Sequence, residues 1–534
     1  MSGIEQLELV LLFLLLFIVV FGFLAQRLRT PYPIVMVIGG LFLSFIPGIP
    51  RVALHPDIVF LVVLPPLLYA AAWTTSWRDF RYNFVSIFLL AFGLVGFTVV
   101  AVSLIAPGIF NGFDWRLGFV LGAVVAPTDA IAATSIAKRV GLPARIVDIL
   151  EGESLINDAS GLLALQFATA IVVRNAIPTV SSGILIFVWL VAGGIGLGLV
   201  VGWIIEYCER RINDGPIEIA LSILVPYAVY LAAEQVHSSG VLAVVTCGIF
   251  LSRRSARFFS PSVRIQIWSV WKSLNFVLNG FVFVLIGLQL PAIRASIGEY
   301  SRLTLIIDAT AFSALMILLR LVWVFPGAGI AWFIRTRVAH QDQTPPRLRE
   351  IFVIGWTGMR GVVSLAATLS LPVLVADGSP FPHRNLIVFL TFCVILITLV
   401  VQGLTLPHLI GVLGLAQAAG PNCEETKARR IIIEAAISHL ESARKKDVNE
   451  FAEIYDDLIR HYQQRLVSLQ PGDDNQDELA DYDRQIELSL ETIRVEREVA
   501  IRLRDEGRIN DEVLRSIERE LDLNESRIAA IGDA

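Results

Sequence analysis

EGESLINDASGLLALQFA, residues 151–168, carries three carboxylates at the head of a run otherwise fit to cross a bilayer. A charge at mid-bilayer is costly on any insertion scale, so Glu151, Glu153 and Asp158 mark a functional site by default. Helical periodicity sorts them. Ser154 lies four residues and Glu151 seven residues before Asp158, so these three share one helical face; Asn157 and Glu153 form an adjacent pair at the same spacing. A carboxylate, a hydroxyl and an amide oxygen make a hard oxygen site suited to a dehydrated alkali cation, without the several carboxylates a calcium ion usually attracts.

The surrounding chain places that run in a membrane. Of its 534 residues, 55% are hydrophobic and only 17% charged, whereas a soluble chain carries about 25% charged residues. Apolar runs of about 17–25 residues recur from Leu9 to Leu413. They predict thirteen spans, near 7–25, 33–50, 57–73, 82–107, 115–137, 148–173, 182–206, 217–235, 239–252, 272–291, 303–333, 350–373 and 385–414. The ninth is the shortest. Glu5 and Glu8, with no basic residue, precede the first run, which reads as a permanent helix and not as a signal peptide.

The loops test the count independently. Alternate loops hold Arg27 and Arg29; Arg78 and Arg81; Lys138, Arg139 and Arg145; Arg210 and Arg211; Arg253, Arg254, Arg257, Arg264 and Lys272; and Arg335, Arg337, Arg347 and Arg349. The intervening six hold only Arg51, Arg116, Arg174, Arg294, Arg302 and Arg384. Eighteen basic residues against six, alternating without a slip, put the N-terminus outside and the tail in the cytoplasm of a cell (inner) membrane.

Charge also divides the chain. Residues 1–420 carry 26 Lys and Arg against 20 Asp and Glu, and residues 421–534 carry 17 against 28. The expectation is a transmembrane domain over 1–420 and an acidic, helical, regulatory cytoplasmic tail over 421–534. The tail reads as two helical segments joined by a turn at 470–475, and it has no nucleic-acid patch. Cys208, Cys247, Cys393 and Cys423 are scattered, with no metal-ligand spacing, and read as small apolar fillers.

Two spans are interrupted by helix-unfriendly sequence. Span five reads VVAPTDAIAAT, with Pro127 just before Thr128 and Asp129, and span twelve reads GWTGMRGVVS, with Gly355, Gly358 and Gly361 around Arg360. If spans 1–6 and 8–13 are two inverted repeats, these are the fifth element of each. Interrupted helices at matching places in two halves point to a site at the membrane midplane. Arg320, in span eleven, reads as bracing or snorkelling. Glu234 and Asp308 fall nearer span ends.

APTDA (126–130), EGESLINDASG (151–161) and GMRGVVSLA (358–366), in that order, resemble the signature segments of the monovalent cation/proton antiporter-1 family, the bacterial Na+/H+ exchangers. The resemblance covers the membrane body, and EGRINDEVLRSIERELDL (506–523) resembles its long-tailed bacterial branch. It implies an all-α polytopic homodimer of thirteen helices, with a dimerisation domain and a mobile core. It also implies an ion site at Thr128, Asp129, Ser154, Asn157 and Asp158, with Asp158 taking either Na+ or a proton. It implies an intramembrane salt bridge between Glu153 and Arg360. The chain departs from the family at LPPLLYAAAW (64–73), where Ala70 stands in place of a glutamate that some relatives use at the cation site.

Plainer roles stand beside these. Asp129 suits a helix-end cap as well as a ligand. Glu151 sits near the expected cytoplasmic mouth and suits attraction of cations. His55, His237, His340, His383, His408, His439 and His461 lie at span ends, in loops or in the tail, and form no proton relay. Asp129 and Asp158 satisfy the count for an intramembrane aspartyl protease, but the GxGD context is absent; peptide cleavage against cation-driven proton flux separates the two. A membrane receptor has no need of two interrupted helices around a carboxylate. The expected function is secondary active exchange of Na+ for H+, with Li+ or K+ as alternative ions. It needs no cofactor, is electroneutral at 1:1, and serves sodium extrusion and pH homeostasis.

Overall fold

The computed structural model describes residues 3–46, 55–174, 180–212, 214–298, 300–338, 340, 345–416, 423–446, 451–468, 476–506, 508 and 511–532. Arg51 and the turn expected at 470–475 lie outside them. The chain divides into two compact units, Met1–Gln417 and Ala418–Ala534. Among the described residues both are helical, without a strand; an isolated antiparallel bridge joins Leu374 and Pro380.

In the first unit, eight helices among the described residues are long and apolar enough to cross a membrane: Leu9–Arg27, Trp77–Ile109, Ala144–Val173, Gly183–Glu209, Gly215–Gln235, Pro261–Ala295, Arg302–Arg337 and Arg384–Val412. Tyr32–Leu43, Ile58–Thr74 and Trp115–Val125 are shorter apolar helices. Large apolar side chains face outward, among them Leu104, Leu185, Phe42 and Trp203. In water so wide an apolar surface would drive aggregation; in a bilayer it is the lipid contact. Inside, small residues let backbones meet. A Cβ on Gly40 would fall 2.3 Å from the Val284 carbonyl oxygen, and one on Gly287 2.4 Å from that of Val37, so helices Tyr32–Leu43 and Pro261–Leu288 cross backbone to backbone.

Both expected interruptions are present. Trp115–Val125 ends and Ala130–Val140 resumes after 126–129, where Pro127 has no N–H to continue the ladder. Leu348–Trp356 ends and Val362–Leu369 resumes after 357–361. Among the described residues, three π-helical segments, Ile58–Val63, Leu89–Leu94 and Thr398–Gln402, run directly into α-helices, a feature that no residue pattern announces.

The tail corrects an expectation of two segments. Its described residues hold four helices: Cys423–Lys446, Ala452–Ser468, Gln476–Asp505 and Asp511–Gly532. Arg444 meets Asp456 at 2.8 Å between the first two, and Arg497 meets Asp522 at 2.6 Å and Glu525 at 2.7 Å between the last two. Exposed ion pairs contribute little. The buried Ile433, Ile459, Ile493, Ala500, Leu514 and Leu521 supply the packing. The last break was legible: the Arg508 N–H donates to the Leu503 carbonyl at 2.9 Å, the six-to-one closure of a helix end, and Gly507 marks the place in the sequence.

Candidate ion site

The two interruptions touch. The Asp129 N–H donates to the Met359 carbonyl at 2.8 Å, tying one break to the other. Three ionised side chains then meet the half-helix ends. Asp129 is the N-cap of Ala130–Val140, its carboxylate accepting from the Ile131 N–H at 2.8 Å. Arg360 donates from Nε to the Val125 carbonyl at 3.1 Å and from Nη1 to the Gly358 carbonyl. It thus sits where Trp115–Val125 ends and carbonyl dipoles favour a cation. Arg320, from helix Arg302–Arg337, donates from Nε (3.3 Å) and Nη2 (3.1 Å) to the Ile354 carbonyl near the end of Leu348–Trp356. Each terminus is met by the charge its dipole prefers. A Cβ at Gly361 would lie 2.2 Å from Asp129 Oδ2, so only glycine admits this approach.

Helix Ala144–Arg174 presents two working faces to the crossing. Glu151, Ser154, Leu155 and Asp158 line a cavity of about 140 Å³ together with Thr128, Asp129 and Ser364. Leu64, Leu67, Leu68, Ala71 and Thr74 close another wall. Asp158 is 8% exposed and Thr128 5%. The cavity therefore gathers carboxylate and hydroxyl oxygens from Ala144–Arg174 and from the first break beside an apolar wall. Ala70 lies off that wall and lines a second cavity with Tyr32 and Trp73. The position expected to have lost a ligand therefore faces elsewhere.

Glu153 and Asn157 occupy the other face. Asn157 Nδ2 donates to Thr128 Oγ1 at 2.7 Å and to the Thr128 carbonyl at 3.3 Å, and Thr128 Oγ1 donates to Glu153 Oε1 at 3.0 Å. Asn157 is not among the residues lining the cavity; its amide fixes Thr128, and its Oδ1 is buried without a partner among the described residues.

The salt bridge corrects the sequence expectation. Glu153 pairs with Arg320, through Nη1–Oε1 at 2.5 Å and Nη2–Oε2 at 2.8 Å, and not with Arg360. Arg360 is committed to the Val125 and Gly358 carbonyls, while the Arg320 fork meets both carboxylate oxygens. Both partners are 1% exposed. A signal for this was available. Arg320 lies about 25 Å from either end of its helix at 1.5 Å per residue, too deep to snorkel, so a buried partner was required.

Residues 12–411 match the family described as "Sodium/hydrogen exchanger, transmembrane". A Na+/H+ exchanger of Mycobacterium tuberculosis is 33% identical over 97% of this chain and 95% of its own. A sodium, potassium, lithium and rubidium/H+ antiporter of Bacillus pumilus is 32% identical over 82% of this chain and 66% of its own. The solved structure of the sodium proton antiporter MjNhaP1 from Methanocaldococcus jannaschii superposes with a TM-score of 0.59 at 19% identity, covering 77% of this chain and all of that one, and supports the fold. The chain belongs to the sodium/hydrogen exchanger family, whose members are multi-pass membrane transporters and not enzymes.

Proposed function

We propose that this transporter exchanges one Na+ for one H+ at Asp158 by alternating access. The observation that carries the proposal is the charge balance where the breaks cross. Arg320, Arg360, Glu153, Asp129 and Asp158 converge there and, with Glu151, the cavity's part-buried carboxylate, outside this sum, all five ionised leave a single negative charge. One alkali cation neutralises it. So does one proton. A loaded site of either kind is balanced, whereas an empty one carries an unpaired buried charge, costly to move out of water. That penalty blocks return of the unloaded carrier and couples the two fluxes.

Asp158 supplies the exchanging charge. Ser154, Thr128 and Asp129 supply oxygens from the same cavity, with Asn157 holding Thr128 in place. Glu153 and Arg320 brace the crossing. The remaining assignments rest on sequence pattern and family: thirteen spans in two inverted repeats, N-terminus outside, and a core moving against the interface of a homodimer in the cell membrane. The tail (421–534) is cytoplasmic and regulatory. The physiological role is sodium extrusion and pH homeostasis.

K+/H+ exchange is the second reading, favoured by the ion range in the name of the Bacillus pumilus relative. The test is dissipation of a preset pH gradient in reconstituted vesicles, scanned over Na+, Li+ and K+. Na+ is expected to collapse the gradient at the lowest concentration. Dissipation by K+ alone would assign K+/H+ exchange, and none with any of the three would contradict antiport.

A further inference from the structure

Ser364 is buried to 1% exposure, and its hydroxyl has no hydrogen-bond partner among the described residues. Serine and threonine in a helix commonly donate to a carbonyl three or four residues back. Thr368 does so to Ser364 at 2.7 Å, and Ser160 to Asn157 at 2.9 Å. Ser364 does not. Keeping a buried hydroxyl unsatisfied costs stability, so the position calls for a partner that arrives from outside the fold.

Its surroundings say which kind. Ser364 stands on the first turn of the half-helix Val362–Leu369 and lines the same cavity as Asp158, Ser154 and Thr128. A half-helix N-terminus is positive and by itself repels a cation, but the Asp129 carboxylate packs against Gly361 at that terminus and offsets it. The wall from helix Leu64–Thr74 offers Leu64, Leu67, Leu68 and Ala71, with Thr74 its only side-chain oxygen. A cation stripped of water needs oxygens from more than one side of the cavity, whereas a proton on Asp158 needs none of them.

Resting on the reading of Asp158 as the exchanging carboxylate, we infer that Ser364 Oγ is a ligand of the transported alkali cation. It is the oxygen that the second broken helix contributes to a site otherwise built from the first broken helix and Ala144–Arg174. It serves the cation-loaded state and not the protonated one, and so helps set which small alkali ion binds.

The test uses the full chain, with Na+ as the probe, in two measurements: melting temperature in detergent with and without Na+, and proton flux in vesicles against Na+ and Li+ concentration. Ser364→Ala is expected to melt no lower than wild type without Na+, because the lost hydroxyl had no partner. It is expected to lose most of the Na+-induced rise in melting temperature and to raise the apparent KM for Na+ about tenfold, the worth of one hydrogen-bond-strength contact to a charge. Ser364→Thr, which keeps the oxygen, is expected to restore affinity. Wild-type KM for both ions and full Na+ stabilisation in Ser364→Ala would overturn the inference, as would a low melting point without Na+ or a Thr variant as weak as Ala. Asp158→Asn is the separate control: continued stabilisation by Na+ there would overturn the reading of Asp158 and not that of Ser364.

Discussion

Arg320 and Glu153 meet fork to fork, at 2.5 and 2.8 Å, although 167 residues separate them in sequence. The pair joins helix Arg302–Arg337 to helix Ala144–Arg174, and through the Ile354 carbonyl and Thr128 hydroxyl it reaches both broken helices. Asp158 lies five residues further along the helix that Glu153 anchors. Removing one partner strands a buried charge, which typically costs about 3–5 kcal/mol. Arg320→Ala is therefore expected to lower the melting temperature and yield sharply. The double variant with Glu153→Ala should recover part of the loss. Simple additivity in that double-mutant cycle would show that the two side chains do not act as a unit.

Gly361→Ala is expected to abolish exchange or folding, since its Cβ would fall 2.2 Å from Asp129 Oδ2 and 2.5 Å from Asp129 Cβ. Gly411→Ala, whose added Cβ would meet nothing within 4 Å among the described residues beyond its own helix backbone and chain neighbours, should behave as wild type. Yield and flux of the two side by side check this. An active Gly361→Ala protein would mean that the breaks do not pack as described.

Asp129→Asn separates the cap from the charge. An asparagine oxygen can still accept from the Ile131 N–H, so the protein should fold and insert, whereas Asp129→Ala should cost about 1 kcal/mol more in stability. With the Asp129 charge gone, a bound Na+ would leave the crossing net positive, and apparent Na+ affinity should fall at least about tenfold. Undiminished affinity in Asp129→Asn would remove Asp129 from the charge balance.

Deleting the tail after about residue 425 should preserve exchange and alter its pH or ion dependence. The carboxylates of the cavity all precede Gly420, and the two units are separately compact. A correctly inserted protein without its tail, silent under every condition, would make the tail part of the transport unit.

One Na+ for one H+ moves no net charge, so the membrane potential, worth about 2.3 kcal/mol per charge per 100 mV, should leave the equilibrium untouched. Vesicles clamped with K+ and valinomycin at different voltages should reach their null point at the same Na+ gradient. A null point that moves with voltage would make Asp129 a second exchanging carboxylate.

Much of this fold was legible because a bilayer punishes exceptions. Pro127 and the glycines around Arg360 announced both interruptions, and the spacing of Glu151, Ser154 and Asp158 announced a shared face, which the structure turns to one cavity. Partners were harder. Sequence places Glu153, Arg320 and Arg360 in the membrane, but which arginine meets the carboxylate depends on how three helices pack, and periodicity along one helix carries no such information. The same holds for Ala70, whose side of its helix is set by the neighbours it packs against. Ser364 was hidden for another reason: a serine in an apolar run is common, and only the missing hydrogen bond sets it apart.

Asp158 is proposed to carry Na+ and H+ in turn. The most direct measurement is Na+-driven proton flux in vesicles holding Asp158→Asn protein beside wild type at matched, correctly inserted amounts. An amide can take neither a proton nor a cation with the needed charge, so the variant should fold and insert as wild type yet show no flux at any Na+ concentration or pH. Wild-type-like flux from Asp158→Asn would contradict the account.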